Sequence, residues 1–274
     1  MPALFSPFKR MIRANKMKVV ILAGGKGTRL GTQVGTLPKP MVAIGNRPII
    51  WHIMKTYSFY GFNEFVICLG TKAEVIKRYF YQYEIINNDF TINLATGDIN
   101  YHSAHDENNW QVTLVDTGLE TLKGGRIKKI EKYLDSDTNF LTYGDGLADV
   151  NIIKLLEFHK SHGKTVTITG VHRPSRFGEL KENNGQLLSL TEKPHKGGEL
   201  INGGYMVFNR KMLDNLTTDD SCDFEIGPLD DMARHGHVMV YKHTGHWDCM
   251  DSDRDMIYLN EQWSKGRAFW KVWK

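Results

Sequence analysis

The chain has 274 residues, 41% of them hydrophobic, which is enough for one large α/β domain with a full core and is not the composition of a disordered segment. Its net charge of +4 equals that of Lys9, Arg10, Arg13 and Lys16 in the acid-free stretch 1–16, and the remaining 31 basic and 31 acidic residues cancel, so the global charge makes no case for a nucleic-acid protein. No apolar run approaches bilayer length, the start lacks a signal-peptide core, and Cys68, Cys222 and Cys249 have no metal spacing and cannot all pair, so a reducing, cytoplasmic setting is expected.

Residues 1–16 read as a basic extension. Ser6 is placed to cap a short helix with Pro7 at its first position and Phe8, Met11 and Ile12 on one face, a membrane-surface or partner helix; the plainer reading is a loose start with Met17 as initiator. From Met17 the chain alternates. "KVVIL" is a buried parallel strand, "RPIIWHIMKTYSFYG" a helix, "EFVICLG" a strand and "KAEVIKRYFYQY" a helix. "QVTLVDTG" is a strand, "GGRIKKIEKYL" a helix, "NFLTYGD" a strand, and "VNIIKLLEFHKSHG" a helix closed by Gly163. This rhythm predicts an α/β fold with a doubly wound, mostly parallel, Rossmann-like sheet. After residue 163 the pattern shifts to an α+β elaboration. "KTVTITGVHR" and "NGGYMVFN" are strands, Asn184-Gly185 turns a hairpin, and helices are expected over Phe224–His235 and Asp253–Lys265. The domain reading is the extension 1–16 followed by one domain, 17–274, with a nucleotide-type sheet over 17–163 and an α+β part and C-terminal helix over 164–274.

The stretch "LAGGKGTRL" from Leu22 to Leu30 has the look of a phosphate cradle, because glycines let backbone N–H groups approach phosphate oxygens and Arg29 offers a charged fork. It fails the dinucleotide fingerprint at Leu30, and it fails the Walker A pattern because Gly27 follows Gly25-Lys26. Lys39 follows between two prolines that restrict its backbone, which suits a fixed point charge. Asp145, at the carboxyl end of an apolar strand between Gly144 and Gly146, sits where open α/β sheets bind ligands and is a natural Mg²⁺ ligand. Asp149 reads as a helix cap. Near the end, Asp248, Asp251, Asp253 and Asp255 crowd one segment; Asp253 reads as an N-cap, and spacing alone does not select the ligand among them.

The stretches "LAGGKGTRL", "PKPMVAIGNRPII", "TYGDGLAD", "EKP", "INGGYMVFN" and "MDSDRD", in that order, resemble the sugar-1-phosphate nucleotidyltransferases from Met17 nearly to the C-terminus. Within that family, "WHIMKTYSFYG", "WQVTLVDTG", "GGRIKKI", "RFGEL" and "GRAFWKVW" resemble the branch that uses CTP and α-D-glucose 1-phosphate. The resemblance implies transfer of CMP from CTP to the sugar phosphate, giving CDP-glucose and pyrophosphate, an early step toward CDP-deoxysugars and the O-antigen of lipopolysaccharide. It implies that Leu22, Ala23, Gly24, Gly25, Lys26, Gly27 and Thr28 with the Arg29 side chain grip the CTP phosphates, assisted by Gly144. Lys39 would neutralise charge at the transferred α-phosphate, and Thr117 and Arg126 would recognise the cytosine side. Gly178, Glu192, Lys193, Asn202, Gly203 and Gly204 would hold the sugar and its phosphate, and Asp145 and Asp251 would bind Mg²⁺. A cytoplasmic homo-oligomer, trimer or hexamer, is implied as well, with "FWKVW" and "YFYQYEII" as candidate contacts. Two departures stand out: Leu37 replaces the first lysine of the family's frequent K-P-K-P, and "HWDC" replaces "FWQP". The alternatives are another nucleotide or sugar phosphate, or a catalytically silent sugar-nucleotide sensor. A silent sensor is expected to have lost Arg29, Lys39 or Asp145, and all three are present.

Overall fold

The computed structural model describes residues 17–25, 37–103, 105–172, 179–191 and 199–273; the short helix expected near Ser6 lies outside them. Strand β1 (Val19–Leu22) points Val19 and Ile21 to one face and Val20 to the other, and all three are fully buried, so the strand is covered on both sides. Helix α1 (Ile49–Phe59) starts behind Pro48, and the chain leaves it through Gly61 at φ 90°. β2 (Glu64–Leu69), α2 (Ala73–Tyr81), β3 (Gln111–Asp116), α3 (Lys123–Lys129) and β4 (Thr138–Tyr143) follow in the expected alternation. β5 (Gly146–Ala148) leads to α4 (Ile152–His162), capped by Asn151 accepting from the Lys154 N–H at 3.0 Å and ended by Gly163 at φ 65°. Asp149, expected as that cap, instead accepts from the His243 ring and the His246 N–H, both at 2.8 Å.

The second part adds β6 (Val166–Val171), β7 (Ile201–Asn209), α5 (Asp230–Arg234), β8 (Val238–Lys242), β9 (Trp247–Cys249) and α6 (Asp253–Ser264). One seven-stranded sheet takes strands from both parts in the order β8-β6-β7-β4-β1-β2-β3. All its pairings are parallel except those of β7, which runs antiparallel to both β4 and β6. Side-chain alternation divides the core into two layers. Val19 and Ile21 pack with residues of α1, α4 and α6, while Val20, Val66 and Leu141 pack with Ile127 of α3, Phe224 and Met232.

Asn184 (φ 48°) and Gly185 (φ 82°) turn a hairpin as the Asn-Gly pair predicts. The helix expected over Phe224–His235 is a correction. Only Asp230–Arg234 is regular, because Ile226 is extended, Gly227 takes φ 105° and Pro228 lacks an N–H. Helix α6 is capped by Ser252, not Asp253: Ser252 accepts from the Asp255 N–H while the Asp255 carboxylate accepts from the Ser252 N–H, a capping box.

Candidate active site

A cleft of about 510 Å³ opens at the carboxyl ends of β1 and β4, the edge where open α/β sheets bind ligands. Leu22, Ala23, Gly24 and Gly25 line one side and residues 119–123 with Arg126 the other, above a floor of Lys39, Pro40, Tyr143, Gly144 and Asp145. Gly144 lets three segments meet: its N–H donates to the Leu22 carbonyl at 3.1 Å, and a Cβ there would stand 3.0 Å from that oxygen and 3.1 Å from the Pro40 ring.

Lys39 opens a single turn of 3₁₀ helix, Lys39–Met41, fixed by the Met41 N–H donating to the Pro38 carbonyl at 2.8 Å and by buried Pro40. Its Nζ donates to Asp145 Oδ2 and to Asp251 Oδ1, each at 2.6 Å. Burial opposes the charged ammonium, yet the two carboxylates together outweigh it and hold the Lys39 pKa above its ordinary value. A short antiparallel ladder brings the aspartates together. β5 pairs with β9 at Gly146 and Cys249, and the Met250 N–H donates to the Asp145 carbonyl at 2.9 Å. Asp251 is then aimed by its neighbours: its N–H donates to Asp255 Oδ2 at 3.1 Å, and the Cys249 thiol donates to Asp251 Oδ2 at 3.2 Å. Of the four aspartates near the C-terminal helix, Asp251 is therefore the one that shares a cation with Asp145.

This pair already holds one cation, the lysine ammonium, between two hard oxygens. Among the described residues no group of three or more His, Cys, Asp and Glu forms a metal cage. Two carboxylates without soft ligands suit a divalent ion that takes its other oxygens from phosphates and water.

Arg126 and Thr117 sit at the rear of the cleft, where they tie its walls together. The Arg126 guanidinium donates to the carbonyls of Leu69 at 2.8 Å, Gly118 at 2.7 Å, Gly24 at 3.0 Å and Leu119 at 3.3 Å, and to Thr117 Oγ1 at 2.8 Å. Thr117 Oγ1 donates to the Leu69 carbonyl at 2.6 Å. Gly24 and Gly70 exist to admit this arginine, since a Cβ on either would lie within 2.4–2.6 Å of guanidinium atoms. In this arrangement Arg126 fixes the Gly24 loop against the loop after β3, and Thr117 ties the start of that loop to the end of β2.

On the sugar side, Asn202, Gly203 and Gly204 form a turn clamped from two directions. Asn202 Oδ1 accepts from the Gly204 N–H at 2.9 Å, and its Nδ2 donates to the Tyr143 hydroxyl at 3.2 Å. Gly204 takes φ 79°, and a Cβ there would meet the Tyr143 ring at 2.8 Å. From the opposite side, the Trp247 indole donates to the Gly203 carbonyl at 2.8 Å. Of the remaining sequence-derived site residues, Lys26, Gly27, Thr28, Arg29, Gly178, Glu192 and Lys193 lie outside the described residues. Sequence reasoning missed Tyr143, Trp247 and Lys123. Tyr143 carried a signal, standing two positions before Asp145 in a strand otherwise closing on glycine, whereas nothing local marks Lys123.

Residues 18–248 match the protein family Nucleotidyl transferase. The chain is 46% identical over 259 residues to a glucose-1-phosphate cytidylyltransferase of Salmonella typhimurium, covering 94% of this chain and 100% of that protein. It is 41% identical over 257 residues to a probable glucose-1-phosphate cytidylyltransferase of Bacillus subtilis, with coverage of 94% and 100%. Among solved structures, HddC from Yersinia pseudotuberculosis shares the fold with a TM-score of 0.64 at 23% identity, over 90% of this chain and 99% of its own.

Proposed function

The chain belongs to the nucleotidyl transferase family, and we propose that it transfers CMP from CTP to α-D-glucose 1-phosphate, releasing pyrophosphate and CDP-glucose. The identity to cytidylyltransferases over the whole of their length supports the substrate pair. The observation that carries the chemistry is Lys39 held between Asp145 and Asp251 on the floor of the cleft, beside the Gly24–Gly25 turn.

The sugar phosphate supplies its own nucleophile. Its second pKa is about 6, so an oxygen of the dianion attacks the α-phosphorus at neutral pH without a general base. Among the described residues no histidine lines the cleft. The obstacle is repulsion between a dianion and a triphosphate, and catalysis reduces to alignment and charge neutralisation. Lys39 supplies positive charge from a backbone fixed by two prolines. Arg126 holds the loop of Gly24 and Gly25, whose N–H groups would face phosphate oxygens. Asn202–Gly204 would orient the sugar. Asp145 and Asp251 would hold a divalent metal, Mg²⁺ in this reading, which when bound neutralises phosphate charge. The roles of Arg29, Gly178, Glu192 and Lys193 rest on the sequence resemblance. The protein is read as a cytoplasmic homo-oligomer. No helix of the described residues is long and apolar enough to cross a membrane. An exposed apolar face on the hairpin of Phe90–Ile92 and Ile99–Tyr101 supports self-association.

The test is a pyrophosphate-release screen of CTP, UTP, dTTP, ATP and GTP against several sugar 1-phosphates. CTP with glucose 1-phosphate is expected to lead by at least about a hundredfold, because a site built to pair one base rejects another strongly. Equal rates with UTP refute the cytidylyl assignment.

A further inference from the structure

Behind Tyr143 lies a carboxylate that the functional reading does not use. Tyr143 donates its hydroxyl to Glu225 Oε1 in a short contact, and Lys123 Nζ donates to the same oxygen at 2.6 Å. The Lys123 ammonium also lies 5.3 Å from the centre of the Tyr143 ring. The other carboxylate oxygen, Glu225 Oε2, is buried and has no hydrogen-bond partner among the described residues. The chain around it is shaped to hold it. Phe224 and Leu229 anchor in the core, the Glu225 N–H donates to Asp223 Oδ1 at 3.1 Å, and Ile226 and Gly227 break the helix one residue later.

We propose that Glu225 is a positioning residue for the sugar phosphate: acting through the Tyr143 hydroxyl and Asn202, it holds the Asn202–Gly204 turn in register with Asp145. The inference rests on the function proposed above. A single line of contacts runs Glu225, Tyr143, Asn202, Gly204. Tyr143 is both donor to Glu225 and acceptor from Asn202, so its hydroxyl has one orientation. Its ring edge limits how far Gly204 can shift. Loss of the carboxylate frees the phenol to rotate, and the turn loses its stop. Lys123 and the Tyr143 ring both line the nucleotide cleft, and Glu225→Ala and Tyr143→Phe leave both in place, so nucleotide binding is not weakened.

Steady-state kinetics of Glu225→Ala, Glu225→Gln and Tyr143→Phe, each checked by circular dichroism and melting temperature, test this. Glu225→Ala and Tyr143→Phe are expected to raise KM for glucose 1-phosphate by about tenfold, with KM for CTP not rising, and Glu225→Gln, which still accepts from Tyr143, to recover most of the loss. Should Glu225→Ala fail to fold, the other two variants carry the same comparison. An unchanged sugar-phosphate KM in folded Glu225→Ala or Tyr143→Phe, or an equal rise in both KM values, overturns the proposal. Wild-type protein that turns over only a different substrate pair overturns the substrate assignment instead, and the KM split is then read with that pair.

Discussion

Lys39 occupies the place between two carboxylates that a divalent cation would take in the proposed reaction. Replacing it by methionine, which keeps the length and removes the charge, should therefore create a metal site where the wild type has a weak one. Two charge-assisted hydrogen bonds stand in the way of the ion. Charged hydrogen bonds contribute about 1.5–3 kcal/mol each, and the low end applies because the aspartate side chains are 30% and 32% exposed and partly screened. The two together come to about 3 kcal/mol, or roughly a hundredfold in Kd. The assay is Mg²⁺ titration by calorimetry, with Mn²⁺ titration followed by electron paramagnetic resonance, without nucleotide and at pH 7.5. Lys39→Met should bind about a hundredfold tighter than wild type, and adding Asp251→Asn should abolish the gain. In the wild type, CTP should raise metal affinity by giving the ammonium a phosphate partner in place of the aspartates. Turnover of Lys39→Met should fall although metal binds better, because the cation facing the α-phosphate is gone. Equal or weaker metal binding by Lys39→Met refutes the reasoning, since it would mean that Asp145 and Asp251 do not converge on one ion.

Two other perturbations separate architecture from chemistry. His52 is fully buried, its Nε2 3.0 Å from the Ile44 carbonyl and its Nδ1 accepting from the Trp270 indole at 3.3 Å, and burial pushes its pKa down to about 4. Its contribution is complete above the unfolded value of about 6.5 and is lost as pH falls toward 4, amounting to about 2 kcal/mol by pH 5; urea unfolding of His52→Gln should show a flatter pH dependence between 7.5 and 5, and an identical slope would exclude His52 as the source. Gly24→Ala would set a methyl group 2.4 Å from the Arg126 guanidinium, so CTP affinity measured by calorimetry should drop by at least about tenfold, and an unchanged value would show that Arg126 does not organise the loop.

The strand–helix rhythm was legible because the β1 strand and its neighbours are buried on both faces and read as continuous apolar runs. Lys39 and Asp145 were legible because glycine and proline neighbours mark backbone that must come close to something. What escaped were consequences of pairing between distant segments. The β5–β9 ladder is three residues long on each side, too short for periodicity, yet it selects Asp251 over Asp248. Competition for caps was also invisible: Asp149 and Asn151 both suit a helix start, and Asp149 is taken by His243 and His246 from the far end of the chain. The helix expected over Phe224–His235 failed where Ile226, Gly227 and Pro228 oppose it, a local signal that the apolar periodicity outweighed.

That same short ladder makes the Asp145–Asp251 pair and the Asn202–Gly204 turn parts of one body. Asp145 leaves β4 immediately after Tyr143, and Asp251 leaves β9 shortly after Trp247. Tyr143 and Trp247 are also the two residues that grip the Asn202–Gly204 turn, one through Asn202 and one through the Gly203 carbonyl. Each strand thus delivers one carboxylate and one clamp. A shift of either strand would move one of the two aspartates and the Asn202–Gly204 turn together, and under the proposed function in-line attack depends on the relation between those two and not on the position of either. Antiparallel β7, which carries the turn, is hydrogen-bonded directly to β4, so the distance from Asn202–Gly204 to Asp145 is set inside the sheet and not by a loop. The reversed strand therefore has a functional reason: running antiparallel, β7 brings its amino-terminal end to the edge where β4 ends. The Asn202–Gly204 turn thus comes to the same edge as the Gly24–Gly25 turn, although it lies at the start of its strand and the glycine turn follows one.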